Sequence, residues 1–196
     1  MIKLPGPLYK AKFDLNKAMQ ERRSLREYRD EPLSLAQGAQ LLWAAQGVAS
    51  LGGFRTVPSG GALYPLELYL VAGKVDGLAA GLYKYTPHKH TLTLTAEGDL
   101  RSEVAAASLG QSWMSAAPAF IAFAAVYERN MSRYGERGSR YILMEVGHAA
   151  QNIALEAIAM GLGAVDVGAF SDLEVKKILG LPASEQPLLI VPVGKK

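Results

Sequence analysis

The chain has 196 residues, of which 49% are apolar and 20% are charged, a balance typical of one folded domain and not of a disordered segment. Lysine and arginine outnumber aspartate and glutamate by 21 to 18, so the formal net charge of +3 is too small to indicate nucleic-acid binding by itself. The sequence contains no cysteine, which excludes disulfides and thiolate metal sites and fits a reducing cytoplasm. The start lacks a signal-peptide-like apolar run, and the uncharged residues 104–127 are interrupted by glycine, serine and proline, so we expect no membrane segment.

Two short helices and a strand are predicted in the first third of the chain. Asp14 can cap a helix that ends near a group of arginines, and Ser34 can cap a second helix that ends near Gly47. A loop rich in glycine, serine and proline follows at residues 50–65. The apolar residues 66–72 come directly after it and are typical of a strand.

The middle of the chain is expected to form a hairpin, a helix and a buried strand. Residues 81–95 alternate apolar and polar side chains on both sides of a Thr-Pro-His-Lys turn, the pattern of a hairpin with one face in water. Residues 99–109 are typical of a helix. Residues 119–127 form a continuous apolar run, which indicates a strand covered on both faces.

The longest predicted helix spans residues 139–161, and its apolar side chains occupy almost the whole circumference. Such a helix must be buried all round, either between a sheet and other helices or against a partner subunit. A short strand and turn at residues 163–170, a helix that begins at Ser171 or the next residue, and a strand at residues 187–194 complete the chain. Because strands and helices mix without strict alternation, we expect one α+β domain over residues 1–196, with a mostly antiparallel central sheet flanked by helices.

Several common catalytic and binding motifs are absent from the sequence. No glycine cluster lies between a strand and a helix with the spacing of a Rossmann or Walker motif. The three histidines have no carboxylate or cysteine partners at metal-ligand spacing, so we expect no metal site. No G-x-S-x-G motif is present, although the sequence leaves open a serine–histidine–aspartate triad brought together by folding.

Three arginines, Arg22, Arg23 and Arg26, lie within five positions directly after the first predicted helix. Arg22 and Arg26 share one helix face if the helix continues, and Ser24 adds a hydroxyl group. Guanidinium groups suit the oxygens of a phosphate monoester, so this segment is a candidate phosphate site. One alternative is an exposed helix end. RNA binding is disfavoured because Tyr28 is the only stacking aromatic close to the arginines.

The loop before the strand at residues 66–72 is a second candidate site. It reads PSGGALYP, and Gly60 and Gly61 remove side chains, which allows backbone amides to approach a planar ligand closely. The alternative is a surface loop that binds nothing.

The order of several motifs along the chain is more specific than any one of them. The motifs are LPGP, RRSLREY, PSGGALYPLELYLV, GLYKYTPHKHTLTL, SRYILMEVGHAAQNIALEAIAMGLGAV, VGAF and LLIVPVGKK. Together they resemble the FMN-dependent nitroreductase superfamily, and within it the SagB-type dehydrogenase branch, over residues 4–195. The resemblance implies a homodimeric α+β fold with FMN at the subunit interface, in which the helix at residues 139–161 packs against its mate.

The resemblance also implies a set of cofactor-binding residues. Arg22 is the phosphate-binding arginine, and Arg23 and Ser24 line the phosphate and ribityl side. Arg26 lies near N1 and O2 of the flavin, where a cation stabilises the anionic reduced ring. The backbone N–H of Gly168 or Ala169 donates near N5, the atom that takes and gives hydride. The other implied positions are Pro58, Ser59, Gly60 and Gly61 from the partner subunit, Gly163 and Ala164 in the wall near N5, and Gly194 and Lys195 toward the phosphate.

The catalytic residues implied by the SagB-type branch are Lys84 and Tyr85, an adjacent pair in the predicted hairpin. Oxidation of an azoline to an azole removes a proton as well as a hydride, and a desolvated lysine or a tyrosinate can take that proton. The alternative is a hairpin in which Lys84 points to water while Tyr83 and Tyr85 pack together on the other face. Many nitroreductases carry an asparagine where this chain has Ala62, so another residue must contact the flavin pyrimidine edge.

The loop and helix that follow residue 127 carry further candidates. Met131, Tyr134 and Arg137 are placed where nitroreductases form the mouth of the substrate site. Glu145 and His148 are three residues apart in the long predicted helix, so we expect them to form an ordinary helix pair with a structural role.

The function implied by the resemblance is an FMN-dependent oxidoreductase that transfers hydride through flavin N5. It would either reduce small nitroaromatic or quinone-like substrates with NADH or NADPH, or dehydrogenate an azoline. The alternative is a flavin-binding carrier or sensor without catalytic turnover.

Overall fold

The structure is a computed structural model that describes residues 1–10 and 13–196. Within this part of the chain, the α-helices are α1 (Leu15–Glu21), α2 (Leu35–Gln46), α3 (Arg101–Ala107), α4 (Glu128–Tyr134), α5 (Arg137–Ala159) and α6 (Asp172–Ile178). The strands are β1 (Ile2–Lys3), β2 (Leu33–Ser34), β3 (Leu66–Ala72), β4 (Val75–Asp76), β5 (Gly81–Thr86), β6 (Thr91–Glu97), β7 (Ala119–Ala125), β8 (Leu162–Ala164) and β9 (Gln186–Lys195).

The main sheet has seven strands in the order β1-β6-β5-β3-β7-β9-β8. Every neighbouring pair in this sheet is antiparallel. The short strands β2 and β4 form a separate parallel pair. This architecture confirms the predicted α+β fold with a mostly antiparallel central sheet flanked by helices.

Each face of the sheet packs against its own layer of helices. On one face, Leu68 and Leu70 of β3 join a core with residues of α2 and α5. On the opposite face, Tyr69 and Val71 join a second core with residues of α3 and α6. All seven residues of β7 are buried, because this strand lies in the middle of the sheet and side chains alternate between the two cores. The prediction of a strand covered on both faces is therefore confirmed.

Side-chain caps define the starts of the first two helices, as their sequences predict. The Asp14 carboxylate accepts a hydrogen bond from the Lys17 N–H at the start of α1. Ser34 and Gln37 form a capping box at the start of α2, in which each side chain accepts a backbone N–H of the other residue. Loss of such a cap costs about 1 kcal/mol.

The predicted hairpin is present as β5 and β6. Tyr83 and Tyr85 point into the core shared with α2 and α5, whereas Lys84 points to the opposite face of the sheet. The outer part of β6, including Thr93 and Thr95, is exposed, so one region of the hairpin is in contact with water as expected.

Helix α5 is buried along one side only, so the first expected alternative, burial all round between the sheet and other helices of the same chain, is wrong, whereas burial against a partner subunit stays a prediction. Ile142, Ala149 and Ile153 are buried against the sheet and α2. Leu143 and Met144 are 56% and 52% exposed on the other side. The sheet and α2 lie on the same side of α5 and leave this apolar surface open. Within residues 1–10 and 13–196, no helix is both long and apolar enough to cross a membrane.

Candidate functional site

The arginine segment is an extended chain that lies against strand β8. Helix α1 ends at Glu21, so Arg22 and Arg26 do not share a helix face as they would in a longer helix. Ser24 forms a parallel bridge with Ala164, and the Leu25 N–H donates to the Ala164 carbonyl at 3.1 Å. The segment is extended and not helical because β8 is an edge strand whose backbone groups are available for pairing with it.

Two glycines allow this close approach. A Cβ atom on Gly163 would lie 2.1 Å from Leu25 Cδ2, and one on Gly194 would lie 2.7 Å from Tyr28 Cδ1. Farther along the segment, the Arg29 N–H donates to the Lys195 carbonyl at 3.0 Å. The structure thus brings the predicted positions in the arginine segment, in β8 and at the end of β9 together at one edge of the sheet.

The charges of the three arginines are not neutralised. No carboxylate in the described part of the chain lies within ion-pair distance of Arg22, Arg23 or Arg26. The Arg23 guanidinium donates only to the carbonyls of Gln20 and Arg22, at 3.0 and 2.7 Å. In contrast, the Lys195 ammonium is paired with Glu31 at 2.7 Å. The arginine segment therefore offers positive charge without an ion-pair partner, which suits a dianionic group, although the charge of Arg22 also acts on the Asp166 carboxyl and opposes the rise of its pKa on burial. Lys195, in contrast, is already engaged.

Free backbone donors lie in the loop that follows β8. Val167 exchanges both of its backbone hydrogen bonds with Ile190, which fixes the start of this loop. The next two residues, Gly168 and Ala169, are exposed, and their N–H groups donate to no acceptor in residues 1–10 and 13–196. Such unpaired N–H groups can donate to a ligand atom without losing another hydrogen bond.

Two residues that the sequence did not single out lie beside these predicted positions. The Gln111 amide donates to the Ala169 carbonyl at 3.3 Å, and the Trp113 ring lies 5.7 Å from the Arg26 guanidinium. Both residues are half-buried. The only sequence signal was that Gln111 and its neighbours interrupt the uncharged run 104–127.

The PSGG loop packs against helices α4 and α5. The Tyr64 N–H donates to the Ser59 hydroxyl at 2.9 Å, and Gly61 has a positive φ of 65°. A Cβ atom on Gly61 would lie 2.5 Å from the hydroxyl oxygen of Tyr134, one of the predicted mouth residues. Glycine is therefore favoured at position 61 by its left-handed backbone conformation, and a larger residue would also have to displace the ends of the Tyr134 and Arg133 side chains.

In a single chain, the PSGG loop and the arginine segment line different pockets. The pocket beside the loop has a volume of about 230 Å³ and is lined by Pro58, Ser59, Gly60, Tyr141, Met144, Glu145 and His148. A separate pocket of about 320 Å³ lies beside residues 25–29 and is lined by Leu25, Glu27, Tyr28, Arg29 and Lys196, so none of the three arginines Arg22, Arg23 and Arg26 lines it. The pocket beside the PSGG loop therefore contains no predicted position of the arginine segment, of β8 or of β9 within one chain.

Glu145 is almost completely buried, at 1% exposure, behind the PSGG loop. Its carboxylate accepts a hydrogen bond from the Gln46 amide at 3.2 Å, and its second oxygen has no partner among the described residues. Burial raises the pKa of Glu145, and the nearby Ser59 hydroxyl and Gln46 amide only partly oppose this effect. The expected helix pair with His148 is absent because Glu145 faces the core and His148 faces solvent.

The Lys84 side chain is partly buried and forms a network of ion pairs, so it does not point freely to water. Its ammonium lies 2.7 Å from Glu185 and 3.1 Å from Glu67. Burial by itself lowers the pKa of Lys84, but the hydrogen bond to Glu185 and the charge of Glu67 outweigh it, and the net pKa is raised. Lys84 is therefore protonated at neutral pH, and the alternative of a solvent-directed side chain is wrong.

Tyr85 lies on the opposite face of the hairpin from Lys84. Its hydroxyl is 2.9 Å from His90 Nδ1, and the side chain packs near Tyr83 in the core, as the packing alternative predicted. Burial raises the pKa of Tyr85, and the charge of Arg55 opposes this only in part. Neither member of the pair is thus deprotonated at neutral pH in this structure, and their role in catalysis stays a prediction.

The chain is similar to known proteins over most of its length. The profile of the nitroreductase family matches residues 19–195. A protein of Methanocaldococcus jannaschii that is named as a nitroreductase is 47% identical over 176 residues, which cover 90% of this chain and 88% of that protein. The microcin B17-processing protein McbC of Escherichia coli is 32% identical over 142 residues, which cover 70% of this chain and 52% of McbC.

A solved structure extends the similarity to the whole fold. The crystal structure of a protein of Ralstonia eutropha JMP134, also named as a nitroreductase, superposes with a TM-score of 0.87 at 31% sequence identity. The match covers 99% of this chain and 88% of that chain. The chain therefore belongs to the nitroreductase family.

Proposed function

We propose that this protein is an FMN-dependent oxidoreductase whose cofactor lies against the edge of the sheet formed by β8 and β9. The observation that carries the proposal is the group of three arginines without carboxylate partners beside glycine-lined backbone, with two unpaired N–H groups in the loop after β8. Membership of the nitroreductase family supports the same cofactor.

The phosphate of FMN is assigned to Arg22 and Arg23, with Ser24 next to them. Each charge-assisted hydrogen bond contributes roughly 1.5–3 kcal/mol, so three of them at the upper end of this range supply about the 8 kcal/mol that micromolar binding requires. No protein carboxylate among the described residues has to be displaced from these guanidinium groups before the phosphate binds. Gly194 allows the chain to lie close to this end of the site, and we retain Lys195 as a weaker contributor because Glu31 already holds it.

The flavin ring is assigned to the region between Arg26 and the loop after β8. Bound FMN supplies a ring nitrogen that accepts and returns a hydride. The N–H of Gly168 or Ala169 is placed to donate to that nitrogen, with Gly163 and Ala164 in the adjoining wall. The guanidinium of Arg26 stabilises negative charge at the pyrimidine edge. Gln111 is our candidate for the polar contact that Ala62 cannot make.

We propose that the active unit is a homodimer in which Pro58, Ser59, Gly60 and Gly61 of one subunit complete the site of the other. Two observations support this proposal. Within one chain, the pocket beside the PSGG loop contains no position of the arginine segment. Helix α5 leaves Leu143 and Met144 exposed, and Met144 lines that pocket. A second subunit would cover this apolar surface and bring the two halves of the site together.

For the reaction, the structure favours reduction of small nitroaromatic or quinone-like substrates with NADH or NADPH. Azoline dehydrogenation by a SagB-type enzyme needs a proton acceptor, and the ion pairs of Lys84 and the burial of Tyr85 keep both side chains protonated. The similarity to McbC keeps this dehydrogenation as the second candidate. In that case either Lys84 or Tyr85 would have to lose its proton when the substrate binds. The cytoplasmic location stays a prediction.

The direct test is the visible spectrum of the purified protein, before and after anaerobic addition of NADH or NADPH. We expect a yellow protein that releases FMN on heating and whose flavin band bleaches rapidly with one of the two donors. A yellow protein that neither donor bleaches would indicate a flavin carrier or sensor. A colourless monomer that does not bind added FMN would refute the proposed function and the proposed dimer together.

A further inference from the structure

A further pocket lies between the start of β3 and the end of β5. Its volume is about 410 Å³, and none of the residues proposed above to hold FMN lines it. Its polar lining includes Gln46, Arg55, Tyr64, Glu67, Lys84, Thr86, His88 and Arg129, and its apolar lining includes Leu63, Leu66, Leu68 and Pro87. This size and this mixture are typical of a pocket for a small molecule.

Most charges in the pocket already have partners. Glu67 pairs with the Lys84 ammonium at 3.1 Å and with the Arg129 guanidinium at 2.5 Å. Lys84 is also paired with Glu185 at 2.7 Å. The cations Lys84 and Arg129 are therefore balanced by the carboxylates Glu67 and Glu185. The remaining charge, that of Arg55, determines which ligands the pocket attracts.

Arg55 has no carboxylate within ion-pair distance in the part of the chain that the structure describes. Its Nη1 group donates to the neutral Gln46 side chain at 2.8 Å, and its buried Nε–H has no partner. Burial lowers the pKa of Arg55, with Glu145 and Glu67 opposing this from longer range. Because a guanidinium stays charged at any ordinary pH, this is a partly buried cation that gains free energy when an anion binds next to it.

The neighbouring residue Tyr64 holds this arginine in place. The Tyr64 ring lies 4.4 Å from the Arg55 guanidinium, and the Tyr64 hydroxyl accepts the Arg55 backbone N–H at 3.2 Å. The Tyr64 carbonyl accepts a hydrogen bond from Arg129 at 2.9 Å. Tyr64 has a positive φ of 47°, a conformation that a tyrosine adopts only when its surroundings fix it. The cation is thus preorganised and does not need to be ordered by the ligand.

We propose that this pocket binds the carboxylate of a small organic acid with an apolar body, with the carboxylate on Arg55 and the body against the leucines and Pro87. An aromatic carboxylate such as benzoate has the required charge and fits the volume. The proposal concerns binding at this pocket and does not depend on hydride transfer.

The test compares benzoate with benzamide, which has the same shape and no charge. Binding of each compound to the full chain, with its flavin, is measured by isothermal titration calorimetry. We expect benzoate to bind about tenfold more tightly than benzamide or better, because a charge-assisted bond to Arg55 is made only by the acid. We expect Arg55→Gln to abolish this preference. Lys89→Gln removes an exposed cation in the neighbouring turn that does not line the pocket, and we expect it to retain the preference.

The proposal is wrong if wild-type protein binds benzoate and benzamide equally, if Arg55→Gln retains the preference, or if Lys89→Gln loses it to the same extent. Should Arg55→Gln fail to fold, crystals of the wild-type protein grown with para-bromobenzoate decide the matter. A bromine anomalous peak in this pocket, with the carboxylate on Arg55, supports the proposal. A peak only at another place, or no peak, overturns it.

Discussion

Replacement of Arg22 by alanine tests the proposed cofactor site most directly. In the structure the Arg22 side chain makes no ion pair with any described carboxylate, and the helix-ending hydrogen bond at this position uses its backbone N–H, which alanine keeps. The substitution therefore removes a charge without breaking an ion pair, and its main electrostatic effect on the protein is a further rise in the pKa of Asp166, which burial already raises and Arg22 opposes. We expect the free energy of unfolding of the protein without FMN to change by less than about 0.5 kcal/mol.

The expected loss of FMN affinity follows from the bonds that the phosphate would lose. One charge-assisted hydrogen bond contributes about 1.5–3 kcal/mol, which corresponds to a dissociation constant raised by about tenfold to a hundredfold. Arg22 is half-buried, so solvent screens part of this interaction, and we expect a value in the lower half of that range. Arg23→Ala should have a smaller effect because the Arg23 guanidinium is partly engaged by backbone carbonyls.

The assay is titration of flavin-free protein with FMN, followed by quenching of flavin fluorescence. Arg29→Ala is the matched control, because Arg29 is an exposed arginine of the same segment without an assigned contact to the cofactor. If Arg22→Ala binds FMN as tightly as the wild type does, or if Arg29→Ala weakens binding equally, Arg22 does not hold the phosphate.

Three further predictions concern packing, assembly and pH. Gly163→Ala should weaken FMN binding and lower the free energy of unfolding by about 1–3 kcal/mol, measured by urea denaturation, because the new Cβ has no room beside the arginine segment. Leu143→Asp should convert a dimer into monomers in analytical ultracentrifugation, whereas Leu173→Asp, at a residue 82% exposed on α6, should not; equal behaviour of the two variants would refute the proposed interface. The hydrogen bond from Arg101 lowers the pKa of Asp99. The ionised Asp99 carboxylate therefore stabilises the folded protein fully above the ordinary carboxyl pKa of about 3.9, and this stabilisation disappears as the pH falls through the lowered pKa. Asp99→Asn should accordingly destabilise the protein at neutral pH, where the Arg101 guanidinium loses its paired charge, and should reduce the acid dependence of the melting temperature.

Much of the fold could be predicted from local sequence. The caps at Asp14 and Ser34, the strand at β3 and the hairpin of β5 and β6 all formed where their patterns indicated. These patterns are reliable because they depend on contacts between residues that are close in the chain, such as a side chain that accepts the N–H of a residue three positions later.

The site was harder to predict, because its properties depend on contacts between distant segments. The charge pattern around residue 22 indicated an anion site, but only the pairing with β8 determines that the arginines lie on an extended chain. Similarly, Lys84 carries no sequence signal for its partners Glu67 and Glu185, because these residues reach it across neighbouring strands and from the turn before β9.

The sequence by itself determined the class of the protein: its periodicities predict an α+β domain, and the order of its motifs resembles the nitroreductase family. Tertiary structure decided which charges are free to act. Folding neutralised Lys84, Arg129 and Lys195 with carboxylates that are distant in the chain, and it left Arg22, Arg26 and Arg55 without such partners. The physical reason is that the strength of a charge–charge contact depends on distance and burial in space, which residue order along the chain does not specify.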